Sequence, residues 1–215
     1  MEIKAFHFNP FIENTYVLYD ETREAVLIDC GCLTYDEQME LKQFVDAQQL
    51  SIKHLLNTHL HIDHSFGNAW AAKTWNILPE AHKADEFMIK QVQMQAQLFG
   101  IYEHIEPQPL GNYLDETDTV HFGNNTLQIL HVPGHSAGSI CFYSQKDKVL
   151  MVGDVLFRGS IGRTDLPGGN YDQLIENIQS KLMKLPDDTV IYSGHGLCTS
   201  IGQERTSNPF ITSNI

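Results

Sequence analysis

The segment Thr58-His59-Leu60-His61-Ile62-Asp63-His64 places three imidazoles and one carboxylate within six residues. In 215 residues with 11 histidines, such a hexapeptide arises by chance in on the order of one chain in a thousand. Neutral imidazole is the commonest protein ligand for metal ions near pH 7, and carboxylates complete such sites. On an extended stretch His59 and His61 project to the same side, so two ring nitrogens converge on one position. Asp63 and His64 come next, where a turn into a helix at Ser65 would aim both at a neighbouring position.

One loop does not supply enough groups for two ions, and further candidates occur where loops leave strands. His135 lies in Val132-Pro133-Gly134-His135-Ser136, Asp154 follows Val149 to Gly153, and His195 stands in Ser193-Gly194-His195-Gly196. In each case a β-patterned run is followed by glycine and then a polar ligand, on the strand-end loops where functional residues concentrate. Asp154 taken alone would be a cap or turn former. In the company of these histidines it becomes the candidate bridging carboxylate. His7, His54, His82, His104, His121 and His131 are read as ordinary surface or hydrogen-bonded residues.

The elements that must carry these groups can be traced along the chain. Short β-patterned runs are expected at Ile3 to Phe8, Thr15 to Tyr19 and Ala25 to Asp29, separated by turn chemistry at Asn9-Pro10 and Asp20-Glu21. Thr34 and Glu37 form a capping box ahead of the stripe Leu41, Phe44 and Val45, which predicts a helix from Thr34 to Gln48. A buried strand from Ile52 to Asn57 leads into the histidine segment. Helices are expected from Ser65 to Trp75 and from Lys83 to Leu98, with Gly100 as a stop. Strands follow at Thr119 to Phe122, Thr126 to Val132, Ser139 to Tyr143 and Val149 to Gly153. After the Asn170 cap, Leu174, Ile175, Ile178, Leu182 and Leu185 define a helical stripe, and Thr189 to Ser193 reads as a last strand. Two β-rich halves covered by helices, without a low-complexity linker, predict one sandwich domain spanning residues 1–215.

Composition narrows the partners. Fourteen Lys and Arg against 27 Asp and Glu give a formal net charge of -13, which repels phosphate backbones and anionic lipid. Nucleic acid and membrane are therefore not expected as partners. The start of the sequence carries no basic-then-apolar signal pattern, so a cytoplasmic protein is expected. The four cysteines, with Cys30-Gly31-Cys32 unlike a CxxC motif, are expected to be reduced and mostly buried.

With Leu27-Ile28-Asp29-Cys30-Gly31, THLHIDH, PGHS, VGDVLF and SGHG in hand, the sequence resembles the metallo-β-lactamase superfamily over essentially its whole length. Within that superfamily it is similar to short bacterial glyoxalase II (hydroxyacylglutathione hydrolase)-like proteins. The resemblance implies an α+β fold, a four-layer αββα sandwich with metals at one edge between the sheets. It implies two divalent ions, zinc first and iron or manganese as alternatives. His59, His61 and His135 match the ligands of one ion, Asp63, His64 and His195 those of the other, and Asp154 the bridge. Asp63 and Asp154 are thereby the catalytic carboxylates. Asp29 matches a position that supports the metal-binding loop, and Arg163 one that binds the glycine carboxylate of glutathione.

The fold does not settle the reaction. β-Lactamases of this superfamily place Cys or Ser near the position of Asp154, and nucleases need a phosphate-attracting surface. Two ions on such ligands lower the pKa of bound water to about 7, making a bridging hydroxide available to attack a carbonyl. A thiol leaves without a strong general acid, whereas an amine needs one, which favours a thioester. The expected activity is hydrolysis of S-D-lactoylglutathione or a related acyl thioester, by a monomer or homodimer acting on a small molecule. Two other readings remain open at this point: a persulfide dioxygenase with a single non-haem iron, and a non-enzymatic metal-binding scaffold. Asp165 stands where family members commonly carry an aromatic hydroxyl, two residues beyond the basic position.

Overall fold

A computed structural model describes residues 1–212 and resolves two compact units, the first comprising 1–114 with 121–125 and the second 115–120 with the chain from 126 onward. The first unit is built on a six-stranded sheet in which each strand neighbours the next in sequence. β1 (Glu2–Phe8), β2 (Glu13–Tyr19) and β3 (Glu24–Ile28) form an antiparallel meander. Helix α1 (Tyr35–Ala47) then crosses over, so β4 (Ser51–Leu56) pairs parallel to β3. Helix α2 (Asn68–Trp75) precedes the short β5 (Pro79–Ala81). Helix α3 (Val92–Leu98) precedes β6 (Asn112–Tyr113), and both of these strands extend the parallel half.

Local chemistry accounts for these elements. The Thr34 hydroxyl accepts from Glu37 N while the Glu37 carboxylate accepts from Thr34 N, so the first turn of α1 is capped at both ends of the box. Leu41 and Val45 of α1 are buried in one cluster with Phe6, Val17, Leu27 and Leu55 of the sheet. Four of the five residues of β3 are buried, as expected where helices cover a parallel segment.

The other six-stranded sheet is built mainly from the second unit, with residues 121–125 assigned to the first. Its strands are β7 (Thr119–Phe122), β8 (Asn125–His131), β9 (Ile140–Ser144) and β10 (Val149–Gly153), followed later by β13 (Val190–Ser193) and β14 (Thr199–Ser200). The order is β14-β13-β10-β9-β8-β7, with β10 and β13 parallel. A small hairpin of β11 (Leu156–Phe157) and β12 (Ser160–Ile161) separates β10 from helix α4 (Tyr171–Ser180). Helices α5 (Ile201–Ser207) and α6 (Pro209–Thr212) close the described chain. Leu174, Ile175 and Ile178 of α4 sink into a core with Val132, Leu150, Val152 and Ile191. Among the described residues no helix is long and apolar enough to cross a membrane.

Three expectations need correction. The helix expected from Ser65 starts at Asn68, because residues 62–64 form a separate 3-10 turn and Gly67 N is drawn to the Cys30 carbonyl. The helix expected from Lys83 to Leu98 is α only from Val92; residues 83–91 are 3-10 turns, the first of them tied down by buried Asp85, which accepts from Leu60 N. The stripe through Leu182 and Leu185 is not one helix: α4 ends at Ser180 and a 3-10 turn carries Leu182 into the core. Pro186 forces the residue before it out of helical backbone, and Leu185 is extended.

Candidate functional site

In the first unit the strand β4 ends at Leu56, and the ligand-rich loop begins at once. The rings of His59 and His61 meet edge to face with centroids 4.7 Å apart, and His59 and His64 lie 4.1 Å apart. The 3-10 turn Ile62–His64 swings the next two candidates round, and His64 Nε2 comes within 3.7 Å of Asp63 Oδ2. His59 and His64 are buried, while His61 and Asp63 are partly exposed.

The backbone that bears these rings is held from below. Asp29, buried and at φ 53°, accepts from Thr58 N and from the Thr58 hydroxyl, each at 2.7 Å, and from His64 Nδ1 at 3.1 Å. Since the Thr58 hydroxyl donates to Asp29, it accepts from His59 Nδ1, 3.0 Å away. Both rings therefore carry the proton on Nδ1 and keep the lone pair on Nε2, the tautomer a metal ligand needs. Asn57 donates to the His64 carbonyl, and Asn9 donates to the carbonyls of Gly31 and Asp63. Glu13 is fully buried beside this network, 4.0 Å from His64 Nδ1, and burial pushes its carboxyl well above the usual range.

The second unit brings together the other expected ligands. Gly153 and Gly194 end the parallel strands β10 and β13, and Gly194 N donates to Gly153 O at 2.7 Å, so Asp154 and His195 leave from adjacent strand ends. His135 sits on the loop after β8. His135 Nε2 and His195 Nε2 lie 3.7 and 3.6 Å from the same Asp154 oxygen. These gaps are too long for hydrogen bonds and match the spacing of neighbouring ligands around one small cation. His135 Nδ1 donates to the Arg163 carbonyl at 2.8 Å, which again leaves Nε2 as the ligating nitrogen.

Arg163 thus touches this cluster through its backbone, a role its residue type did not suggest. Its guanidinium is engaged by Asp165 in two parallel hydrogen bonds of 2.8 Å. Gly162 is a residue that sequence reasoning missed: a Cβ there would stand 1.8 Å from the Asp154 carbonyl and 3.0 Å from His135 Nδ1. Thr58 and Asn9 were likewise without a predicted role at the site, Asn9 being read only as part of a turn. Of the histidines set aside, His7, His54, His82 and His131 are held by Asn14, Glu80, Ala84 and Ala137. Cys30, Cys32 and Cys141 are buried free thiols, and Cys198 is a free exposed one.

Each unit therefore presents imidazole Nε2 atoms beside a carboxylate, with the opposite ring nitrogen tied down where the chain shows it. This donor set fits a divalent cation of the zinc or iron kind. The family model of the metallo-beta-lactamase superfamily matches residues 8–195, and the chain belongs to that superfamily, whose fold implies divalent-metal binding. It is 36% identical over 218 residues to hydroxyacylglutathione hydrolase GloC of Haemophilus influenzae, an alignment covering 99% of each protein. Among solved structures it is similar to BLEG-1, a B3 metallo-beta-lactamase, with TM-score 0.89 and 36% identity over 98% of this chain and 100% of that one. It is also similar to TTHA1623, solved in a di-iron-bound form, with TM-score 0.85 and 32% identity over 96% and 99% of the two chains. The fold is the α+β metallo-β-lactamase fold expected from the sequence.

Proposed function

We propose that this protein is a metal-dependent hydrolase of acyl thioesters, with S-D-lactoylglutathione as its substrate and D-lactate and glutathione as products. The observation that carries the reading is Asp154, whose carboxylate faces two imidazole nitrogens at ligand spacing. A carboxylate at this position suits a bridging ligand, and the full-length likeness to a hydroxyacylglutathione hydrolase supports the same chemistry. In this proposal the metal ligands are His59, His61, Asp63 and His64 of the first unit and His135, Asp154 and His195 of the second. Such ions would supply a water acidic enough to ionise near pH 7 and a Lewis acid for the thioester carbonyl.

The chain's own contribution is orientation. Asp29 and Thr58 fix the His59 and His64 tautomers, and the Arg163 carbonyl fixes that of His135. Asp154 sets the separation of two ligand nitrogens. A thiol leaves without a strong general acid, so the reading requires none from the chain. The partner in this reading is a small thioester, with neither nucleic acid nor membrane involved, and the protein is a monomer or homodimer of the cytoplasm, where its thiols stay reduced.

The test loads purified protein with zinc, iron or manganese and measures turnover of S-D-lactoylglutathione, a panel of other acyl thioesters, a β-lactam, and glutathione persulfide with an oxygen electrode. The β-lactam belongs in the panel because BLEG-1 is as similar to this chain as the hydrolase is. Thioester hydrolysis that is lost in Asp154→Asn, with the circular dichroism spectrum retained, is the expected result. Preferential turnover of the β-lactam, or oxygen uptake with one iron per chain, overturns the reading.

A further inference from the structure

The Arg163–Asp165 pair differs from an ordinary surface ion pair in where it is anchored. Its backbone is fixed to the ligand cluster of the second unit, since the Arg163 carbonyl accepts from His135 Nδ1 and the preceding Gly162 packs against the Asp154 carbonyl. On the other side the loop closes on itself: Gly169 N donates to Leu166 O, and a Cβ at Gly169 would stand 2.3 Å from Thr164 O. The side chains emerge from this fixed segment into solvent, 57% and 69% exposed. Arg163 Nε and Nη2 each meet one oxygen of Asp165 at 2.8 Å, the fork-on-fork geometry by which Arg recognises a free carboxylate. The cationic fork on the segment whose backbone holds His135 is thus already filled by a carboxylate from the chain itself.

We propose that Asp165 is a built-in competitor for the anionic end of the substrate. It occupies the Arg163 fork, so a thioester whose thiol portion ends in a carboxylate binds there only by displacing Asp165, whereas an uncharged thiol portion carries no such penalty. This inference rests on the thioester reading of the site. The competitor is permanently charged at neutral pH, because the Arg163 guanidinium lowers the Asp165 carboxyl to about 2. Exposed ion pairs of this kind are weak, so the handicap is a modest discrimination of up to about fivefold and not a block.

The experiment compares wild type with Asp165→Asn, using S-D-lactoylglutathione and the uncharged thioester N-acetyl-S-lactoylcysteamine. The ratio of the KM for the uncharged substrate to that for the glutathione ester should rise about two- to fivefold. In parallel, calorimetry with S-methylglutathione reads binding without turnover, and its Kd should fall by the same factor and lose the difference at high salt. In an Arg163→Gln background, which keeps the carbonyl that His135 uses, the Asp165 substitution should have no effect. An unchanged KM ratio and Kd, or an equal gain in the Arg163→Gln background, overturns the competitor. If neither thioester is hydrolysed, the calorimetric arm decides alone: tighter binding keeps Asp165 as competitor while the thioester reading falls. Turnover with unchanged binding does the reverse.

Discussion

The carboxylate of Asp29 takes two hydrogen bonds from Thr58, one from its backbone N–H and one from its hydroxyl, each 2.7 Å long. Across 29 positions of sequence this clamp joins the end of β3 to the end of β4, and the third bond, from His64, carries it to the ligands. Asp29 therefore sets the backbone start of the loop and the orientation of one ring at the same time.

Asp29→Asn tests the clamp. Asparagine tolerates the left-handed backbone of this position, so the loss is confined to charge and hydrogen bonding. An amide cannot accept three hydrogen bonds in the same way, and a buried donor left over costs about 1–3 kcal/mol. A lower melting temperature of the metal-free protein is expected, together with fewer ions per chain by elemental analysis. Equal melting and equal metal content would show that the clamp does nothing.

Gly162→Ala tests the tight approach in the second unit. With its Cβ only 1.8 Å from the Asp154 carbonyl, the loop must move, and overpacking of this kind costs about 1–3 kcal/mol. The shift falls on Asp154 and on the carbonyl that holds His135. Metal affinity should drop by about ten- to a hundredfold, as measured by competition with a chromophoric chelator. Gly159→Ala separates backbone strain from contact: its Cβ would meet no atom within 4 Å but its φ of 71° strains any L residue, so it should lose stability without the loss of metal affinity.

His54 gives a pH dependence remote from the ligands. The Glu80 carboxylate, 2.5 Å from His54 Nδ1, raises the imidazole above its ordinary 6.5, against the opposing effect of partial burial. A raised folded value means that the charged form is stabilised by folding. That contribution is complete below about pH 6.5 and disappears as pH rises through the folded value. Urea unfolding of His54→Gln should therefore show a deficit of about 1 kcal/mol or less at pH 6, shrinking to nothing at alkaline pH. A deficit that grows with pH contradicts the assignment.

Removal of metal should lower stability as well as activity. An ion bound only by the folded chain adds RT ln(1 + [M]/Kd), about 2.7 kcal/mol at a hundred times the dissociation constant. Chelator treatment is expected to lower the melting temperature by several degrees, and added zinc or iron to restore it. A melting temperature indifferent to chelator excludes tight metal binding at these clusters.

Much of this was legible because it rests on residue types at fixed offsets. Thr34 and Glu37 announce α1, Gly100 stops α3 with φ 76°, and the histidine-aspartate run stands out against any ordinary composition. The strand-glycine-ligand exits at Gly153 and Gly194 were visible for the same reason. What stayed hidden depends on tertiary neighbours or on atoms every residue possesses. The Arg163 carbonyl is such a group, and nothing in the letter sequence distinguishes it from any other carbonyl. Thr58 matters through Asp29, and Gly162 through Asp154, contacts that exist only once the loops have closed. β5, β6, β11, β12 and β14 are two or three residues long, too short for an alternating pattern to register. Pro186 did carry a readable signal against continuing the α4 stripe to Leu185, and it was the stronger one.

The adjacency of β10 and β13 bears on when the protein acquires its ions. Val149 pairs with Val190, about forty residues later, and only this late pairing sets His195 beside Asp154. Until then the second unit can set only His135 beside Asp154, and two donors hold metal more weakly than three. Completion of the second unit's donor cluster therefore waits on the β10–β13 pairing.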